Sequence, residues 1–526
     1  MYTNKGRKYM RKLIKNATIY KSSMDSILIE DERIVEVFQG DKNLEDIDEV
    51  IDVKGAFVLP GFIDSHLHTL NLGYYLSNVS LIGITSLERL LEIVKEKIAQ
   101  VKEGKWFYAR GFNESIFEEP KLPTKQMLDE ISKDIPIVLS RACGHMMVVN
   151  SKVLELCGVT QDEEKDGGRI DYENGFAYEH ALEDIKAHMP SPTRDDLILY
   201  LQEAMNYLNQ FGITGVGSDD FISVTENWEL PLDVFLQQSY QHKMSIRMNE
   251  QCEFHTLEEF AKFLDEGYTT GVGNDIFQVG PLKMIVDGSL GARTAYLSKP
   301  YEDAKDTRGM LCYSEEEFAR FVELASNYNM PTISHAIGDG AVDVVLDTYE
   351  EHMLENNPLG YGLVHCQIMR QDQIDRILKH KLYCYIQSLF INGDAVFYEK
   401  RVGDTARTSY PFASLYRGTT TGNGSDAPVE IPDVLKGIYL AVTRKSIDFD
   451  AMMDASECLT VEEAIDSYTV NAAKLIGREE DLGKIQEGYL ADLVVLDKDL
   501  TKIEPKEILD TKVVLTLFDG EVVYQA

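Results

Sequence analysis

Two histidines one residue apart, His66 and His68, close an apolar stretch, Val58-Leu59-Pro60-Gly61-Phe62-Ile63. In an extended strand, residues two apart project from one face, so both imidazoles reach a single ion at the strand's C-terminal end. Taken alone, the pair fits surface or core histidines equally well. Later apolar stretches end in the same manner: one runs into His335, the next into His365, and a last one into Asp426. Imidazole nitrogens with a carboxylate oxygen form a donor set for Zn²⁺ or a similar transition metal. Such an ion makes hydroxide available at neutral pH, because it lowers the pKa of its water to about 7. Lys283 lies inside the apolar stretch Pro281-Leu282-Lys283-Met284-Ile285-Val286-Asp287. A buried ammonium is costly, which leaves two readings. Either the lysine snorkels or pairs with Asp287, or it is a neutral amine that has taken up CO₂, giving a carbamate able to bridge two metals.

Residues this far apart in sequence meet only if a scaffold gathers their strand ends. The middle of the chain repeats a capped amphipathic helix, a short loop and a buried strand. Ser314-Glu315-Glu316-Glu317 forms a capping box ahead of Phe318, Phe321, Val322 and Ala325 at helical spacing. Helices over Ala341–Glu351 and Gln371–His380 follow, alternating with strands at Pro331–His335, Tyr361–His365 and Leu382–Ile386. Further strands are predicted at Phe57–Asp64, Gly212–Ser218, Met244–Asn249, Val279–Val286 and Thr419–Asp426. Eight strands separated mostly by helices indicate a (β/α)8 TIM barrel, whose strand C-termini converge on one mouth. The interval between His68 and Gly212 is too long for a loop and holds a helix with a Thr85…Glu88 box, so it is an inserted subdomain after strand 1. Both termini are strand-rich: Lys12–Tyr20 and Ser26–Gln39 in front, Ala491–Leu496, Val513–Phe518 and Glu521–Tyr524 behind, with Asp519-Gly520 as a hairpin turn. They predict a small β-sandwich domain built from both ends, residues 10–56 and 481–526, around a barrel at 57–480 whose insertion spans about 75–205.

The 526 residues carry 52 basic and 88 acidic side chains, a formal charge of −36, with 44% hydrophobic and 27% charged residues. That balance is globular. Its acidity argues against nucleic acid and anionic membrane as partners and says nothing else about function. Cys143, Cys157, Cys252, Cys312, Cys366, Cys384 and Cys458 show no paired spacing, no signal peptide precedes them, and a reduced cytoplasmic setting fits. There is no apolar run long enough to span a membrane. Residues 1–9, ahead of a second start-like Met10, are read as either an extension or a misplaced start and are set aside from the fold reasoning.

Several segments together resemble the amidohydrolase superfamily, and within it the amidohydrolase-3 (YtcJ-like) branch that includes N-substituted formamide deformylases. They are Gly61–His68, Gly212–Val216, Lys283–Ala295, His335–Asp339, His365–Gln367, Gly424–Pro428 and Leu482–Leu496. The resemblance runs from about residue 10 to the end and is silent on substrate. It implies that His66, His68 and Asp426 hold a buried metal, that His335 and His365 hold an outer one, and that carbamylated Lys283 bridges two Zn²⁺ ions. It implies a hydrolase acting on a non-peptide C–N bond, amide-type and including N-substituted formamides, through a metal-bridging hydroxide with Asp426 as proton shuttle. It is also consistent with a homodimer.

Other candidates are His145, in Cys143-Gly144-His145, and Arg293, in the Gly288–Arg293 loop, both as substrate contacts. A structural histidine and a plain turn are the alternatives. Trp106, Phe107, Phe112, Phe176 and Tyr178 are read as core, and Cys366 as packing. Two rival functions stand beside the leading one. A mononuclear aminohydrolase would usually carry a Glu three residues after His335, where this chain has Gly338, and would lack Lys283. A catalytically idle binding or regulatory protein has no physical reason to keep every ligand.

Overall fold

The structure is a computed structural model that describes residues 9–40, 42–102, 104–142, 145–165 and 168–526. Eight parallel strands form one sheet in chain order: Phe62–Leu67, Ile213–Ser218, Arg247–Cys252, Phe277–Ile285, Thr332–Ala336, Gly362–His365, Tyr383–Ile386 and Thr421–Asn423. They are the first to eighth barrel strands below. Helices cover their outer faces and side chains fill the interior, so the strands are buried almost throughout. The eighth strand returns to the first through Asp426 N–H to His66 O and His68 N–H to Ala427 O, both 2.9 Å. Gly424 permits this approach, since a Cβ there would lie 2.7 Å from His66 N. The architecture is a (β/α)8 barrel.

Two sheets made from both termini form the β-sandwich. One holds Arg11–Lys15, Ser26–Glu30, Arg33–Phe38 and Glu49–Asp52; the other holds Thr18–Ile19, Phe57–Pro60, Leu493–Leu496, Val513–Phe518 and Glu521–Gln525. Ile14, Ile27, Ile29, Val58, Leu493, Val495, Leu515 and Leu517 form their common core. Asp519 and Gly520 turn the last hairpin with φ of 51° and 72°. Arg247, at the start of the third barrel strand, ties the barrel floor to this layer. It donates to both oxygens of Asp492 (2.8 and 3.0 Å) and pairs with Asp519.

Three sequence expectations shift. The run Phe57–Asp64 is two strands: Phe57–Pro60 pairs with Leu493–Leu496, and the barrel strand starts at Phe62. Both pieces are fully buried, so no change of periodicity marks the boundary. The third strand starts at Arg247 rather than Met244 and runs to Cys252 rather than ending at Asn249, because the polar residues Glu250 and Gln251 are buried by specific partners. The helix Leu87–Ile98 is capped by Ser86, which accepts from Arg89 N–H, not by Thr85.

Residues 73–200 form a compact unit of their own, and residues up to 72 and from 201 onward form the other. Within 73–200, seven strands make one sheet, in the order Glu163–Lys165, Gly168–Asp171, Phe176–Glu179, Met146–Val149, Ile137–Arg141, Phe107–Phe112, Val79–Ser80. Strand alternation splits its side chains between two cores. Ile137, Leu139, Met146 and Val148 pack with Leu90 and Val94 on one face, and Val138, Met147 and Val149 pack with Val153 and Ile185 on the other. Phe107 and Phe112 belong to the first core, with Phe176 and Tyr178 partly buried against it; Trp106 packs against the second. Among the described residues, no helix is long and apolar enough to cross a membrane. Cys143 and Gly144 lie outside the described residues, and the other six cysteines are free.

Candidate metal centre

His66, His68 and Asp426 are brought together, with one ligand atom from each lying within 4.8 Å of the others. The Nε2 of His68 is 3.1 Å and that of His66 3.5 Å from Asp426 Oδ1. His365 and His335 continue the arc across the mouth. Ring centroids are 5.8 Å apart for His66 and His365, and 4.4 Å for His365 and His335. His66 and His365 are buried, while His68 and His335 are partly open. His365 and Asp426 hold φ of 79° and 59°, in the left-handed region that costs a residue with a Cβ and recurs at functional sites.

Each imidazole is held at Nδ1 by an acceptor. Gln251 Oε1 accepts from His66 (2.5 Å), Asp219 O from His68 (2.8 Å), Asp287 Oδ1 from His335 (3.1 Å) and Gln387 Oε1 from His365 (2.8 Å). The two amides are oriented by their other ends: Gln251 Nε2 donates to Ser65 O and Gln387 Nε2 to Tyr385 O. With Nδ1 donating, a neutral ring keeps its lone pair on Nε2, which is how metal-ligating histidines are prepared. Burial holds His66 and His365 well below the usual imidazole range, so they stay neutral. Burial also opposes charge on His68, but its bond to Asp426 and the charges of Asp219 and Asp426 outweigh that and push it up to about 9. Asp426 is held below the usual carboxylate range; burial raises it, and His68, His365 and His66 together prevail. Three converging donors, with tautomers fixed by their surroundings, fit a divalent metal ion.

Lys283 is buried and donates from Nζ to Asp219 Oδ2 at 3.1 Å. Burial disfavours its charge, yet Asp219 and Glu253 raise its pKa. The pairing with Asp287 considered from sequence is not made. Asp287 instead accepts from His335 and from the N–H groups of Ile337 and Gly338 (3.0 and 2.8 Å). Asp64 accepts from Ser425 N–H (3.0 Å) and His66 N–H (3.2 Å), clasping the first strand to the last. Its burial pushes it up to about 7. Glu253 is also pushed up to about 7, first by burial and then by Asp219, with Lys283 and His68 opposing.

His145 belongs to the 73–200 unit, where its exposed ring meets Glu179 at 3.0 Å. Arg293 is bidentate to Asp303 (3.1 and 2.7 Å). Cys366 is buried against its own strand, its thiol donating to Leu363 O. Sequence reasoning missed Gln251, Gln387, Asp219 and Glu253. The signal was available for two of them. Gln251 is a polar residue on an inward strand position, and Gln387 directly follows the seventh strand.

Fold and site define a metal-dependent hydrolase of the barrel class. Residues 49–524 match the amidohydrolase family profile, and the chain belongs to that family. It is 31% identical to a Bacillus subtilis (strain 168) protein named as an amidohydrolase, YtcJ, over 91% of this chain and 90% of that one. It is 26% identical to the N-substituted formamide deformylase of Arthrobacter pascens, over 91% and 90%. Among solved structures it resembles an uncharacterized metal-dependent hydrolase from Pyrococcus furiosus, with a TM-score of 0.78 and 30% identity over 94% of this chain and 100% of that one. The chain is thus an enzyme, a hydrolase of C–N bonds other than peptide bonds.

Proposed function

We propose that this enzyme cleaves the C–N bond of an amide-type small molecule, N-substituted formamides included, with Asp426 as proton shuttle. The observation that carries the reading is the convergence of His66, His68 and Asp426, with the Nδ1 of each histidine already engaged. The formamide deformylase among its relatives supports formamides as substrates. His66, His68 and Asp426 would hold one divalent ion, zinc by its donor set, and His335 and His365 a second, with Lys283 as a carbamate between them. A bound ion would polarise the scissile carbonyl and acidify water.

The chain's own residues do the rest. Asp426 has one oxygen beside His68 and His66 and is held ionised, so it can take the proton of the attacking water and pass it to the leaving nitrogen. A carboxylate suits this better than an imidazole, because it can touch metal and relay a proton at once. Gln251, Gln387, Asp287 and the Asp219 carbonyl keep each ring in one tautomer and orientation. Carbamate formation needs the Lys283 amine to release Asp219, shed protons to solvent and form an N–C bond to CO₂. His145 and Arg293 are assigned as substrate contacts.

The test is a panel of N-formyl and N-acyl amines assayed with Zn²⁺ and bicarbonate. Release of amine and acid by wild type, and none by Asp426→Asn of unchanged fold, is the expected result. Full activity in Asp426→Asn would refute the assignment.

A further inference from the structure

The third barrel strand places a carboxylate that the reaction above does not use. Gln251 faces the barrel axis, where it holds His66. Two residues further on, strand alternation gives Glu253 the same side, just past the strand's C-terminal end at the mouth. Phe254 points the other way. It is 1% exposed in an aromatic cluster, 5.1 Å from Phe260 and Phe263 of the outer helix Leu257–Asp265 and 5.9 Å from Phe221. This packing anchors the chain so that Glu253 stays turned inward.

Two cations of the fourth strand and the loop after it are already matched. Lys283 makes its ion pair with Asp219, the residue that follows the second strand. Arg293, two turns away in sequence, is committed to Asp303. Glu253 is half-buried and has neither a hydrogen bond nor an ion pair among the described residues. On the neighbouring side, Cys312 N–H donates to Val286 O at 2.9 Å, which brings Tyr313 beside the end of the fourth strand. Burial and then the charge of Glu253 raise the Tyr313 phenol. A partly desolvated carboxylate without a partner is unfavourable, and a cationic ligand relieves it. The net charge of −36 draws cations toward the protein.

We propose that Glu253 is a specificity-determining residue that receives a positively charged nitrogen on the substrate, so that the preferred substrate is an amide carrying a second, protonated amine. This rests on the hydrolase reading given above.

Two formamides of matched chain length test it at mildly alkaline pH: formylated pentylamine, which is neutral, and monoformylated pentane-1,5-diamine, which keeps one ammonium. Glu253→Gln should raise KM for the diamine derivative about tenfold or more and leave kcat/KM for the neutral one within about twofold, with Glu253→Asp between. Equal losses on both substrates, or none on either, would overturn the proposal. A second readout does not need turnover. Pentyltrimethylammonium has no lone pair to offer a metal, and its binding to the metal-loaded protein is followed by calorimetry, with pentan-1-ol as the neutral comparator. Wild type should bind the cation about tenfold or more tightly than Glu253→Gln does, with circular dichroism confirming an unchanged fold. Equal binding by both proteins would overturn the assignment of Glu253. Glu253-dependent cation binding without hydrolysis of either formamide would instead sink the formamide reading and leave Glu253 standing.

Discussion

The two pairs of imidazoles at the barrel mouth are built differently. His66 and His68 come from one strand, and Asp426 is pinned to them by its own N–H on His66 O. Their ligand atoms already lie within 4.8 Å of each other. His335 and His365 come from separate strands and face each other at 4.4 Å between ring centroids, and the carboxylate beside them, Asp287, is engaged at His335 Nδ1. The first trio is assembled by a tripeptide and one closure contact. On the proposed reading the second pair takes Lys283, which here holds Asp219, as its further ligand.

The largest effect is expected at the shared carboxylate. Asp426→Asn should lower kcat about 10³-fold or more while the melting temperature stays near that of wild type; substantial remaining turnover would remove Asp426 from the proton path. Next comes ion occupancy, read by elemental analysis. His66→Ala should empty the centre, whereas His335→Ala should lose one ion and keep the other. If His335→Ala emptied both sites, the two pairs would be one cooperative site. Lys283→Gln should behave like His335→Ala in metal content, and wild type held in bicarbonate should show the added mass of CO₂ by gentle mass spectrometry. An unmodified mass with two ions bound would exclude the carbamate.

Further from the mouth, Arg247→Met leaves the buried Asp492 and the partly exposed Asp519 without their cation on the barrel floor. Denaturant unfolding should show a loss of about 3–5 kcal/mol with metal content unchanged. The smallest effect concerns pH. Burial pushes Asp394 up to about 6, with its bond from Tyr410 opposing. A raised carboxyl pKa means its favourable contribution is full below the ordinary carboxyl value of 3.8 and is lost as pH rises through about 6. Asp394→Asn should therefore flatten the stability curve across that window. An unchanged curve would show that Asp394 titrates normally.

The strand ends that carry His66, His68, His335, His365 and Asp426 were legible because each is a chemistry-bearing residue closing an apolar run. The helix Gln371–His380 was legible to the residue, from its apolar spacing and flanking turns. The split at Gly61 was not, since two consecutive buried strands share one uninterrupted apolar signal. Nor were the third strand's bounds, where Glu250 and Gln251 look like loop residues until Asp220 and His66 engage them.

The chain's letters by themselves determined which donor atoms exist and that they close successive strands, because side-chain type and strand periodicity are local properties. Only the tertiary structure decided who meets whom: that Lys283 joins Asp219 while Asp287 turns to His335, that two glutamines set the tautomers, and that Glu253 is left without a partner. Those pairings depend on the stagger between neighbouring strands and on the sharp turns after them, and neither leaves a trace in the spacing of residues along one strand.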